Sequence, residues 1–325
     1  MRAYPSVPES GEATPPSTPS LLDVLRRSTQ VDCDTLDADG QSCSSSATSE
    51  STLNQAYQAI AYSELLRQDE GQSDLHHDSL INDAIRGARN DLKDIQGDAT
   101  AEEFVVEIMA RIVAIFQHLS PDLDTKRICI KIPATWEGLQ ACRSLENKGI
   151  ATLATTLFCM EQAVLAARVN CTYIAPYVNE LRVHFDKDYV DEHKAFDLCR
   201  EAQAYFLAHD CRTQVLAASL TSVDEVMRLA GIQHVTVAPG LLRQLATLQE
   251  SSWDGEKVGA YFAQGPSHRS WEARDYGALV DEEAMWRLAF ARSGFGASEG
   301  KIVQAVNYFC DFQEKMEELA RRHSE

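Results

Sequence analysis

The sequence predicts an α/β protein, a single (β/α)8 TIM barrel with extra C-terminal helices. Three observations predict it. Short β-branched runs alternate with helical patterns from residue 127 to residue 249, a rhythm that requires parallel strands joined by helical crossovers. The chain has 325 residues, a length normal for one barrel, and no linker interrupts it after Leu21. No G-x-G-x-x-G follows any strand, which argues against an open, doubly wound dinucleotide-binding sheet.

Residues 1–20 are rich in Pro, Ser, Thr and Glu and read as a disordered tail, leaving 21–325 as the barrel domain. TQVDCDT (29–35) is the best first strand. A poor second lies in SSATSE (45–50), and a third in NDLKDIQGD (90–98). The next five units are clearer: RICIKIP (127–133) precedes TWEGLQACRSLENKG, and IATLATTLF (150–158) precedes EQAVLAARVN. CTYIAPYV (171–178) is followed by a long helical stretch to His209. TQVLAAS (213–219) precedes SVDEVMRLAG, and HVTVAPG (234–240) precedes LLRQLATLQ. Two helices are expected at Asp281–Arg292 and Ser298–Arg322. In the second, Ile302, Val306, Phe309, Phe312 and Met316 recur at helical spacing and are expected on the barrel exterior, with a homodimer face as the alternative.

The charge balance, 30 Lys+Arg against 49 Asp+Glu, gives −19. Nucleic acid and anionic membranes need a basic face, so neither is expected as a partner, whereas a small-molecule sugar or carbonyl substrate is compatible. The 9 cysteines are odd in number, scattered and free of any C-x-x-C pair, so they predict buried thiols in a reducing compartment and no zinc site. His76-His77 reads as a solvated loop pair, and no metal site is expected. No apolar run approaches the roughly 18 residues of a membrane span. Residues 1–20 lack the apolar core of a secretory signal. A soluble, cytoplasmic protein is the expectation.

The most informative position is Lys131, in Ile128-Cys129-Ile130-Lys131-Ile132-Pro133. Period-two alternation puts the isoleucines on one face and Cys129, Lys131 and Pro133 on the other. In a barrel the isoleucines meet the helices and Lys131 points inward, close to the C-terminal end of its strand, where barrel enzymes place their chemistry. A buried ammonium must be paired or lose its proton, and the neutral amine is what attacks a carbonyl to form a Schiff base. On strand context alone, a lysine paired to a buried carboxylate or reaching to the barrel mouth is the other reading.

The run Ile128 to Gly138 (ICIKIPATWEG) resembles the active-site signature of transaldolases, class I aldolases with a β/α barrel. The resemblance continues through Gly149-Ile150, Thr155, Leu157-Phe158, Gln162-Ala163, Ile174 to Val178, Ala218-Ser219, Ala230-Gly231 and Thr236 to Pro239. It reaches back to Ser28 to Thr35. It implies that Lys131 forms the Schiff base with a ketose donor and that Asp34 exchanges a proton with the hydroxyl beside the breaking bond. Thr155 would help hold the catalytic water, and Ser219 would lie near the substrate phosphate. The protonated imine is the electron sink, so the resemblance implies no metal and no organic cofactor.

The implied reaction transfers a dihydroxyacetone unit from a ketose phosphate (sedoheptulose 7-phosphate or fructose 6-phosphate) to an aldose phosphate, in the pentose phosphate pathway. Departures from the family pattern cluster around the site. Glu50 stands for a substrate-binding asparagine, and Asp94 is the nearest counterpart of a proton-relaying glutamate. Leu153 replaces an asparagine and Ala175 a serine. Asn179-Glu180 and Thr221 stand where the family carries the two arginines that grip phosphate, with Arg182, His184 and Lys187 as candidate substitutes. Glu180 would repel a phosphate. The rival expectations are a divergent aldolase or lyase on an unphosphorylated carbonyl compound and a catalytically weak barrel with a binding role.

Overall fold

The structure, a computed structural model, describes residues 18–33, 101–119, 121–122, 124–266 and 269–323. Six parallel strands form one sheet: β1 (Gln30–Cys33), β2 (Cys129–Pro133), β3 (Ala151–Leu157), β4 (Tyr173–Pro176), β5 (Gln214–Ala217) and β6 (His234–Val237). Their order is β1-β6-β5-β4-β3-β2. From β2 to β6 each strand lies beside the next in sequence, and β6 pairs with β1. A doubly wound sheet would reverse direction at an internal strand; here β1 and β2 are the two edges, as in a barrel wound in one sense. The two strands expected between them, at 45–50 and within 90–98, lie outside the described residues, as does the expected tail over 1–17. Pro19 and Ser20 are already paired, since the Glu250 amide donates to the Pro19 carbonyl and Ser20 bridges Gln249.

The helices follow from caps and periodicity. α1 (Leu21–Arg26) opens on a capping box in which Ser20 and Asp23 serve each other's backbone amides. α2 (Ala101–Leu119) is a helix the sequence reading did not anticipate; it packs on α3 (Trp136–Asn147), and the Ser144 hydroxyl donates to Glu102 across that contact. α4 (Met160–Arg168), α5 (Phe196–Ala208), α6 (Val223–Arg228) and α7 (Pro239–Thr247) follow their strands. The helical stretch expected up to His209 is shorter than predicted. Only Phe196–Ala208 is α-helix, preceded by a 3-10 turn at Leu181–His184. The reason is local: the Asp191 carboxylate accepts from the Glu180 and His193 amides, and a side chain that captures backbone donors competes with a helix.

Apolar residues divide between two clusters on opposite faces of the sheet. Ile130, Ile132, Ala154, Ile174, Val215, Ala217, Val235 and Val237 belong to the main core beneath the helices. Each isoleucine removed from water there contributes about 1.5–3 kcal/mol. Cys129, Leu153, Ala175, Tyr177, Leu216 and Ala218 form a separate inner cluster. The alternation expected around Lys131 is therefore present, with isoleucines outward and Cys129 inward.

Beyond β6 come the short helices α8 (Ala260–Ala263), α9 (Ser270–Ala273) and α10 (Tyr276–Asp281), then α11 (Glu283–Arg292) and α12 (Ala297–His323). Buried Trp286 of α11 stacks on Phe290, lies 5.6 Å from Trp136, and donates its indole N–H to the Glu161 carbonyl. The stripe on α12 does not lie along the barrel exterior as expected. Ile302 is buried, but Val306 and Phe312 are exposed. The helix crosses the C-terminal end of β3, with Lys301 over the Phe158 ring and Tyr308 and Phe312 against Phe185. Aromatic partners there, more than sheet exterior, determine its seat. Among the described residues, no helix is long and apolar enough to cross a membrane.

Candidate active site

Lys131 occupies the centre of β2, in register with Leu153 of β3, which in turn faces Tyr173 of β4. It shares the inner face with Cys129 and is half-buried, whereas its neighbours Ile130 and Ile132 are buried on the opposite face. Leu153 and Ala175, both noted as apolar departures, are part of the inner cluster, so the wall beside the lysine is apolar on its β3 side.

What fixes this strand is the turn that follows it. The Thr135 hydroxyl caps α3 by accepting from the Gly138 amide, and the Thr135 amide donates to the Pro133 carbonyl. That fold brings the Pro133 carbonyl so close to Gly138 that any Cβ there would collide with it. The glycine of the signature is thus a packing requirement, set three residues into the helix.

Thr155 lies on the same inner face, in register with Pro133 at the end of β2. Its hydroxyl donates to the Tyr177 hydroxyl at 3.1 Å, and both residues are buried. Tyr177 also meets Phe158 edge-on. The adjacent Thr156 has φ 53°, a left-handed conformation that costs a β-branched residue about 1–3 kcal/mol. Gln162, fully buried, holds this kink: its Nε2 donates to the Ala134 and Thr156 carbonyls at 2.9 and 3.1 Å, and its Oε1 accepts from the Phe158 amide at 2.8 Å. One side chain thereby ties the loop after the Lys131 strand to the loop after the Thr155 strand.

Ser219 follows β5, also in the left-handed region at φ 63°. Asn179 holds its carbonyl twice, through the backbone amide at 3.2 Å and Nδ2 at 2.8 Å. The Ser219 hydroxyl is 2.9 Å from His184 Nε2. Lys131, Thr155, Tyr177 and Ser219 therefore stand on or just beyond four successive strands, β2 to β5.

The positions flagged for phosphate are occupied differently. Buried Asn179 and exposed Thr221 both donate to Glu225, and Lys194 pairs with it at 2.6 Å. Burial pushes the Glu225 carboxyl up, but Lys194, the Thr221 amide and Asn179 outweigh it and leave it below the ordinary glutamate range. Of the candidate substitutes, Arg182 is committed to Asp186 at 2.8 Å and lies over the Tyr189 ring, whereas His184 does reach Ser219. Asp34, Glu50 and Asp94 lie outside the described residues. Asp32, two residues before Asp34, is buried and paired with His234 at 3.3 Å. Tyr177, Gln162 and Glu225 were not singled out for any role in the sequence. A tyrosine in a strand carries no functional signal, and the contacts that matter are made across the sheet.

These features define a parallel β/α protein whose inner face carries a lysine on one strand and a buried hydroxyl pair from the next two. A family model described as Transaldolase/Fructose-6-phosphate aldolase matches residues 46–286. The transaldolase of Chlamydia pneumoniae is 31% identical over 252 residues, covering 70% of this chain and 77% of that protein. The match to the Chlamydia caviae transaldolase is 38% identical over 128 residues, and so spans only 39% of that relative's length. The transaldolase of Shewanella loihica is 28% identical over 207 residues, 61% of this chain and 63% of that protein. The chain belongs to the transaldolase/fructose-6-phosphate aldolase family.

Proposed function

We propose that this chain is a transaldolase-type transferase that moves a dihydroxyacetone unit from a ketose donor to an aldose acceptor through a Schiff base on Lys131. The observation that carries this reading is the placement of Lys131 on the inner face, one strand from the buried Thr155–Tyr177 hydroxyl pair. The neutral amine adds to the ketose carbonyl, and loss of water gives the protonated imine. A base removes the proton from the hydroxyl beside the bond to be broken. The bonding electrons pass into the imine, which becomes an enamine, and the aldose part leaves as an aldehyde. The enamine then attacks the acceptor aldehyde, and water releases the new ketose. Asp34 is assigned the role of the base, and Thr155 with Tyr177 that of holding water and relaying its proton.

Ketose phosphates of the pentose phosphate pathway, in the cytoplasm, are the substrates and setting that family membership suggests. The test is a transfer assay in which a ketose donor and glyceraldehyde 3-phosphate are mixed with the full chain and the new ketose is detected by mass. Product should form, and Lys131→Ala should lower its rate at least a thousandfold. An unchanged rate in that variant would refute the reading.

A further inference from the structure

Glu225 is a buried carboxylate surrounded by donors: Asn179 Nδ2 at 3.0 Å, the Thr221 amide at 2.7 Å, the Thr221 hydroxyl at 3.1 Å and Lys194 Nζ at 2.6 Å. Amide, hydroxyl and ammonium groups converging on one point are what an anion site is made of. Here the point is filled by the protein's own side chain. It lies beside Ser219, whose carbonyl shares Asn179 Nδ2 with Glu225. Two neighbouring cations are also committed, Lys301 toward Asp191 at 3.5 Å and Arg182 to Asp186. Glu180 adds a further carboxylate at this end, engaged with the Tyr189 hydroxyl.

From β2 to β5 is three strand spacings, about 14 Å along the sheet. The lysine side chain and an open-chain sugar of hexose size together bridge that gap. A donor of that length attached to Lys131 is long enough to reach toward the strand end that carries Ser219 and His184. We propose that Glu225 acts as a resident anion that satisfies the donor cradle beside Ser219, so that Ser219 and His184 receive an uncharged, hydroxyl-bearing end of the substrate in place of a phosphate. The inference rests on the role of Lys131 proposed above and specifies the class of donor that site takes.

The experiment measures borohydride-trapped adduct on Lys131 for fructose, fructose 6-phosphate and dihydroxyacetone in the full chain. Fructose should be trapped at least as efficiently as fructose 6-phosphate. In Glu225→Ala the emptied cradle should shift the ratio toward fructose 6-phosphate by tenfold or more. That variant should also bind inorganic phosphate by calorimetry where the parent chain does not. His184→Ala should lower the fructose to dihydroxyacetone ratio about tenfold, because the shorter donor does not reach Ser219. A tenfold preference of the parent chain for fructose 6-phosphate would overturn the proposal while leaving Lys131 chemistry intact. If Glu225→Ala does not fold, an unchanged ratio in His184→Ala overturns it equally. Absence of adduct with all three donors would instead remove the Lys131 reading and this subsite with it.

Discussion

The Thr155 hydroxyl donates to the Tyr177 hydroxyl at 3.1 Å, two buried groups on neighbouring strands beside the strand of Lys131. Tyr177→Phe keeps the ring against Phe158 and removes only the oxygen. Turnover should fall about 10²-fold, the range for loss of a positioned proton-transfer group, while borohydride trapping on Lys131 persists. Single-turnover kinetics check this, and unchanged turnover would show the pair to be structural.

Gln162 serves the Ala134 and Thr156 carbonyls and the Phe158 amide from a fully buried position. Gln162→Leu leaves three buried backbone groups without that partner and should cost about 3 kcal/mol or more in urea unfolding. Because the same contacts hold the kink after Thr155, turnover should drop alongside stability.

Gly138→Ala places a methyl group against the Pro133 carbonyl, two residues beyond Lys131. The backbone must give way, and the expected cost is about 1–3 kcal/mol. Thermal unfolding of the purified variant reads it directly; an unshifted midpoint would contradict the close approach.

Glu225 has its carboxyl held below the ordinary range despite burial. A carboxyl with a depressed folded pKa stabilises the fold above its unfolded value, about 4.3, and that contribution is lost as pH falls through the folded value. Stability measured from pH 7 down to pH 3 should therefore decline below about pH 4.3. Glu225→Gln should be less stable at pH 7 and show a flatter decline.

The strands that carry the site were legible because each is a short β-branched run between helix caps, and Lys131 was conspicuous as the single charge inside one. Ser219 and Thr155 were reached through the same resemblance and stand at the ends of their strands. Tyr177 was not distinguished, since its partner lies 22 residues away on the neighbouring strand. Glu225 looked like an ordinary acidic residue in the first turn of α6, and only the fold brings Asn179 and Lys194 to it. The segment before α5 was misjudged because Asp191 takes backbone donors that a helix would have used. Chain order alone does not reveal such long-range capture.

The most direct test is mass mapping of the chain after borohydride reduction in the presence of dihydroxyacetone. A reduced three-carbon adduct on the peptide containing Lys131, absent in Lys131→Ala, is the predicted result. An adduct confined to another lysine, or none with any ketose, would contradict a Schiff base at Lys131.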